Sequence, residues 1–485
     1  MLGPVASTGL LHVIERLSRG GAARSLLALA IDLKAYGYHQ QRILSLLPPD
    51  ETMKQRSEAA GIAVVSGTEQ ELWIAECAAA EIVQVYFWNS PTLYEFFSCD
   101  LPAMRCVVWL QVNCMFAPHA LAEVVVRQAD AILASSSLRP ARGSAAICGT
   151  IRTVADFARL ADFQPVAHAG FNIGYLGTVD PVKTHPRYVS MSAAVEIPGV
   201  RFLIYGSGDG FKSLQLQAQA LGVSERFSFL GFTENIGGAL SELDLLGYPL
   251  CEDNYSTSEL VLQEALYAGV TPVVFSYGGA AELVLHEKTG FVVNSEGEYK
   301  EAIEYLFRNP AAHARMKEAG KLHAREHFAA GRSAEQFSAV YTELRRAAKS
   351  SATDASLDID EVKHYSGSLS FVRSLGDYCA CFRVSLLSAD EMQVKSADEE
   401  IRRITAVVAS PAGGGVFDYA RFYRTDPYLR LWCGLILESQ GRFALALAEY
   451  HQAQRLGLSE RRLSDYIERA NAKAISAVNS IVNSI

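Results

Sequence analysis

The 485-residue chain has no surplus of basic side chains: 44 lysines and arginines stand against 53 aspartates and glutamates, a formal net charge of -9. A sequence-independent grip on nucleic acid needs basic surface to neutralise phosphates, so that class of partner is excluded, although a locally basic pocket could still take one diphosphate. An uninterrupted apolar run of membrane-spanning length is also missing. The longest candidate, VVWLQVNCMFAPHALAEVVV, is broken by Gln111, Asn113 and His119. The opening MLGPVASTGLLHVIERL lacks the basic start and small-residue cleavage site of a secretory signal. Nine cysteines are scattered and odd in number, and only Cys379 and Cys381 stand close together; they read as reduced core thiols rather than a metal site. These absences describe a cytoplasmic chain, free or peripheral to the inner face of the membrane. A convincing Ser/His/Asp set or carboxylate pair is lacking too. The one Asp-x-Asp, Asp358–Asp360, lies in a polar acidic stretch that reads as linker, so no metal requirement is indicated.

What the chain does contain is the composition of a globular protein, 49% hydrophobic and 20% charged, in a length too great for one core. From residue 10 to about 345, short β-branched runs alternate with amphipathic stretches, the pattern of parallel α/β sheets. We expect a first Rossmann-like lobe over residues 1–166, with strands at Leu10–Leu17, Gln41–Leu47, Ile82–Trp88, Cys106–Leu110 and Ala131–Ser135. Its first helix ends at Gly37. A second lobe, 167–348, has strand candidates NIGYLG, FLIYG, FSFLG, LLGYP, TPVVF and GFVV, helices at Phe211–Leu221 and Leu260–Ala268, and two or three helices from Glu296 onward. KSSATDASLDID, residues 349–360, has the composition of a linker. Residues 361–485 read as a few strands followed by helices. There YLRLWCGLILESQGRFALALAEYHQAQRLGL has the register of a tetratricopeptide-type helix pair, with Gly434, Gly441, Phe443, Ala446, Tyr450 and Ala453 in place. Only one such unit is visible, so it must pack on something else.

Three constellations could carry chemistry. In SRGGAARS, adjacent Gly20 and Gly21 at a strand-to-helix turn let the backbone approach an anion at the helix start, or simply make a tight turn. In GYLGTVDPVKTHP, Lys183 stands just past a strand end, where it could neutralise a diphosphate leaving group or be a solvated surface charge. In STSELVLQEALYAG, Ser256–Thr257–Ser258 are capping residues, and Glu264 falls inside an apolar helix. A carboxylate there requires partners, either ribose hydroxyls or a neighbouring basic side chain.

Over Leu10 to about Arg345, GGAARSLLALAIDLKAYGY, LIYGSGDGFKSLQLQAQALGVSERFSFLG and EALYAGVTPVVFSYGGAAELVLHEKTGFVV occur in the order of a retaining glycosyltransferase of family four, which the chain resembles. The resemblance implies the GT-B fold, two Rossmann-like lobes facing across a cleft, here with a C-terminal mainly helical domain. It implies that Gly20 and Gly21 face a donor diphosphate, that Lys183 compensates it, and that Leu260 and Val261 offer it backbone N–H groups. Glu264 matches the second glutamate of Glu-x7-Glu, which holds the ribose. Gly206 and Gly208 lie beside the nucleotide and Phe232 in the segment lining the base. Three positions depart from the pattern. The first glutamate falls on Ser256, with Asp253 and Glu259 nearby as substitutes at different spacing. The usual arginine falls on Thr178. The first-lobe histidine falls near Gln111, with His119 close by. The implied function is transfer of a sugar from a UDP- or GDP-linked donor, without metal or other cofactor, to a saccharide, lipid-linked or protein acceptor. The helical module could hold a protein partner. The departures leave a rival open: a degenerate GT-B scaffold that binds partners and transfers nothing.

Overall fold

The computed structural model describes residues 8–140, 143–208, 210–350 and 366–482. The proposed linker, apart from Lys349 and Ser350, lies outside the described residues, as do Asp358 and Asp360. The chain divides into two compact units. The first comprises residues 1–87, 102–115 and 129–350; the second comprises residues 88–101, 116–128 and 351–485.

The first unit holds two parallel sheets. One has seven strands: β1 (Thr8–Ile14), β2 (Gln41–Ser45), β3 (Ala63–Ser66), β4 (Ala80–Phe87), β5 (Cys106–Leu110), β6 (Ala131–Ala134) and β7 (Ile147–Thr150), in the order β3-β2-β1-β4-β5-β6-β7. The other has six: β8 (Phe171–Thr178), β9 (Val200–Ser207), β10 (Phe227–Gly231), β11 (Leu245–Tyr248), β12 (Thr271–Phe275) and β13 (Phe291–Val293), ordered β10-β9-β8-β11-β12-β13. Helices cover both faces, which is why the central strands β5, β11 and β12 are continuous buried runs rather than alternating ones. Strand order reverses between β1 and β4 and again between β8 and β11. In such sheets the crevice beyond the carboxyl ends of the strands at that point is where ligands bind.

The helix Ala330–Leu344, assigned by sequence to the second lobe, belongs to the first lobe's core. Ala334, Phe337 and Tyr341 recur on one face and are buried with Leu26, Tyr38 and Trp109. The Phe337 ring meets Trp109 edge-on at 4.8 Å. Beneath it, His12 is fully buried: its Nε2 donates to Gln41 Oε1 at 2.8 Å and its Nδ1 accepts from Tyr86 at 3.1 Å. Gln41 in turn donates to the carbonyls of Ala30 and Tyr38, which sets its amide orientation and hence the imidazole tautomer.

In the second unit, the stretch expected to contain strands forms helices Ser366–Ser374, Ala380–Leu387, Glu391–Ile401 and Ala406–Ala409. Their β-branched and aromatic residues, Phe371, Phe382 and Val408 among them, join Tyr419 and Trp432 in one core. The following helices Pro427–Ser439 and Phe443–Arg455 pack as an antiparallel pair. A Cβ on Gly434 would stand 2.4 Å from Cε1 of Tyr450, so only glycine lets these two helices approach as they do. Of the nine cysteines, Cys148 is exposed, so the reading of core thiols fails there, whereas Cys379 is half-buried against the second unit's core. No helix of the described residues is long and apolar enough to cross a membrane.

Candidate functional site

The second lobe's switch point is marked by Lys183, five residues past the end of β8, and Tyr248, the last residue of β11. The Lys183 ammonium lies 5.8 Å from the Tyr248 ring centre and 5.6 Å from that of Tyr255. It is 8% exposed and donates to Glu259 Oε2 at 2.8 Å; the Tyr248 hydroxyl donates to the same oxygen at 2.7 Å. Burial opposes the charge on Lys183, but Glu259, together with Tyr175, outweighs it and holds the group above the usual lysine range. Burial would likewise raise the Glu259 carboxyl. Lys183 and the hydrogen bonds outweigh it, and the group sits below the usual range. The pair is therefore ionised.

Glu259 is also the N-cap position of the helix Leu260–Ala268, which begins later than the serine-rich stretch suggests. Its side chain makes no capping bond, and no basic or acidic residue follows in the first turn. The N–H groups of Leu260 and Val261 have no carbonyl one turn earlier in the helix to bond, and they follow directly on Glu259, whose carboxylate holds Lys183. The Ser256–Thr257–Ser258 stretch is engaged otherwise. Ser256 N–H donates to Asn254 at 2.8 Å, Asn113 donates to the Ser256 carbonyl at 3.3 Å, and Ser258 Oγ donates to the Thr153 carbonyl at 3.2 Å. Gln263 donates to that carbonyl too and accepts from Ala155 N–H. The stretch as a whole fastens the second lobe to the first, Ser256 through its backbone carbonyl to Asn113, Thr257 to Gln111, and Ser258 with Gln263 to residues 153–155.

Glu264 is 1% exposed, and its partner is Arg24, on the first turn of the helix Gly21–Leu33. A basic neighbour, one of the two partners expected for this carboxylate, is therefore present. Burial pushes Glu264 above the usual carboxylate range, against the pull of Arg24 and Arg159. Gly20 is the N-cap of the Arg24 helix, and a Cβ on Gly21 would lie 3.6 Å from Leu260 Cδ1, so the glycine turn meets the start of the Leu260 helix directly. Beside it, Arg19 pairs with Glu234 at 2.6 Å and lies 5.1 Å from the centre of the Phe232 ring, which is 50% exposed. Gly206 and Gly208 have φ of +148° and +140°, and a Cβ on either would collide with the carbonyls of Gly177 and Val179. Their glycine identity is required by packing against the end of β8.

The expected residues Gly21, Lys183, Glu259, Leu260, Val261 and Glu264 therefore come together around one helix start. Thr178 closes β8, its carbonyl accepting from the Tyr175 hydroxyl at 2.7 Å. His119 lies in the second unit, its ring 5.6 Å from that of Trp88. Arg24, Arg19, Tyr248 and Glu282 were not anticipated. Glu282 receives the Ser137 N–H and hydroxyl and pairs with Arg152 at 3.0 Å. Arg24 stands within SRGGAARS, so its proximity to the glycines was the available signal. Arg19 shares that motif, whereas Tyr248 and Glu282 depend on contacts between distant segments.

Two parallel Rossmann-like lobes with this site at the switch point define a GT-B architecture. Residues 162–323, about a third of the chain, match the family model described as Glycosyl transferases group 1. A Bacillus anthracis N-acetyl-alpha-D-glucosaminyl L-malate synthase is 27% identical over 149 residues, 30% of this chain and 38% of that protein. The Vi polysaccharide biosynthesis protein VipC/TviE of Salmonella typhi is 30% identical over 97 residues, 20% of this chain and 16% of that protein. The chain thus spans well under half the length of either relative. The structure of Anabaena HepE in complex with UDP and glucose superposes with a TM-score of 0.58 at 16% identity, covering 69% of this chain and all of that one. Residues 162–323 are therefore similar to group 1 glycosyl transferases, and the fold is GT-B.

Proposed function

We propose that the chain transfers a sugar, with retention of anomeric configuration and without a metal, from a UDP- or GDP-linked donor to a saccharide, lipid-linked or protein acceptor. The observation that carries this reading is Lys183, a buried, charged ammonium at the switch point beside an uncapped helix start. A diphosphate resting on the Leu260 and Val261 N–H groups would meet that ammonium, and growing charge on the leaving phosphate would be stabilised as the glycosidic bond breaks. Gly20 and Gly21 would close over it, and Glu264 would hold the ribose. The second lobe takes the nucleotide and the first the acceptor, with closure excluding water. A protein partner or acceptor would use the tetratricopeptide-like helix pair of the second unit. The site belongs in the cytoplasm, where nucleotide sugars are made. The test is incubation of the full chain with UDP- and GDP-hexoses, following release of nucleoside diphosphate and the anomeric configuration of the product by NMR.

A second reading is favoured by the two ion pairs themselves. Lys183 and Glu264 already have partners, Glu259 and Arg24. A scaffold that binds a nucleotide or a protein and transfers nothing would bind a nucleoside diphosphate without releasing one from any donor.

A further inference from the structure

The ion pair between Arg24 and Glu264 joins the first helix of one lobe to the second turn of the Leu260 helix of the other. It is incomplete. Both Arg24 Nε and Glu264 Oε2 are buried, and neither has a hydrogen-bond partner among the described residues. A buried donor and a buried acceptor left open cost about 1–3 kcal/mol each, so two of them on one ion pair call for an explanation. The two atoms are of opposite kind. A single hydroxyl satisfies both at once, accepting from the guanidinium and donating to the carboxylate. Water can do the same, but a vicinal diol anchored at the neighbouring helix start would do so with less loss of freedom.

Resting on the reading of this crevice as a nucleotide-sugar site, we propose that Arg24 is a donor-binding residue supplied by the first lobe. A ribose hydroxyl bridges Arg24 Nε and Glu264 Oε2, so the nucleoside is held by both lobes rather than by the second alone. The geometry favours Arg24 over its neighbours. Arg19 is spent on Glu234, Asp50 and the Phe232 face, and Arg159 reaches the Glu234 carbonyl. Arg24 is 22% exposed at its side chain and rises from the turn where Gly21 meets Leu260. The ribose then tells the lobes that the donor is in place: its hydroxyl completes an interlobe ion pair that is left open without it.

The experiment is calorimetric titration of the full chain with UDP, GDP and their 2′,3′-dideoxy counterparts, using wild type, Arg24→Ala and Arg24→Lys. For whichever diphosphate binds, wild type should prefer the ribose form at least ~10-fold, because the dideoxy form leaves the buried pair open. Both variants should lose most of that preference. Arg24→Lys keeps the charge opposite Glu264 and so keeps the fold even if Arg24→Ala does not, and melting without nucleotide verifies this. An unchanged ribose preference in a folded Arg24→Lys protein overturns the assignment of Arg24 and leaves the nucleotide site standing. Failure of wild type to bind either diphosphate overturns both.

Discussion

Lys183 and Glu259, 76 positions apart, form a 2.8 Å ion pair shielded from water at the switch point of the second sheet. The pair positions the ammonium and also mutes it, because an arriving diphosphate meets the Glu259 charge as well. Glu259→Gln should therefore tighten nucleoside diphosphate binding about tenfold or more near neutral pH, since like charges at such range and burial repel by more than 1 kcal/mol. The gain should fade as pH rises. Without Glu259, burial pulls the Lys183 pKa down, and the cation is lost on passing it. Titrations at several pH values decide this; equal affinities throughout would remove Glu259 from the site.

Lys183→Ala and Glu264→Ala test the transfer reading itself. Each should lower turnover at least ~100-fold, as loss of a positioned electrostatic group does. Lys183→Ala should act mainly on kcat, because charge on the leaving phosphate grows in the transition state, whereas Glu264→Ala should act on KM as well. Near-normal turnover in both would mean that chemistry happens elsewhere.

His12 makes the first lobe sensitive to acid. Burial lowers its pKa from 6.5 to about 4, against the opposing hydrogen bond with Gln41. A base whose folded pKa is depressed favours the native state while neutral. Its stabilisation is complete above the unfolded value of about 6.5 and is lost as pH falls towards 4, a change of about 3 kcal/mol. Urea unfolding of wild type between pH 7 and 4 should show this slope, shared with His313, whose pKa burial also lowers to about 4. His12→Phe should be less stable at pH 7 but flatter with pH. A parallel slope in the variant would assign the acid sensitivity elsewhere.

Gly434 offers a case where two effects oppose. Placing alanine in a helix interior gains roughly 1 kcal/mol of propensity over glycine. Against it stands the collision of the new Cβ with the Tyr450 ring, which packs beside Gly434 in the core. Overpacking a rigid aromatic costs about 1–3 kcal/mol, so Gly434→Ala should destabilise the second unit on balance. A raised unfolding midpoint would show that Tyr450 moves aside freely.

Removal of residues 351–485 should not yield a well-folded remainder. The helix Pro91–Ser98 buries Leu93, Phe96 and Phe97, and belongs to the same compact unit as the helices Ser366–Ser374 and Val416–Phe422 on which it packs. We expect the shortened chain to aggregate or melt without a sharp transition. A cooperative melt near that of the full chain would show the C-terminal region to be separable.

Much of the fold is legible because burial and periodicity coincide. Cys106–Leu110 and Leu260–Ala268 fall where pattern alone places them, since the interior strand is apolar throughout and the helix ends at Gly269 in the left-handed region. Ala63–Ser66 and Ile147–Thr150 were not foreseen. They are the two edges of the first sheet, short and half-exposed, and so lack the apolar run that betrays a central strand. The expectation of strands between 361 and 415 failed for the converse reason: valines and phenylalanines with modest helix propensity became helical because their faces are buried in a helical core.

The sequence by itself determined two α/β lobes, the helices from Asp426 onward, and the candidates Lys183 past a strand end and Glu259 and Glu264 on one helix, because each follows from local spacing and residue chemistry. Only the tertiary structure decided which charges meet. The pairing of Lys183 with Glu259, of Arg24 with Glu264, and the return of the helix Ala330–Leu344 to the first lobe all join segments far apart in the chain. Such contacts leave no periodic trace, since the energy of an ion pair or a packed face depends on distance in space, whereas pattern records only distance along the backbone.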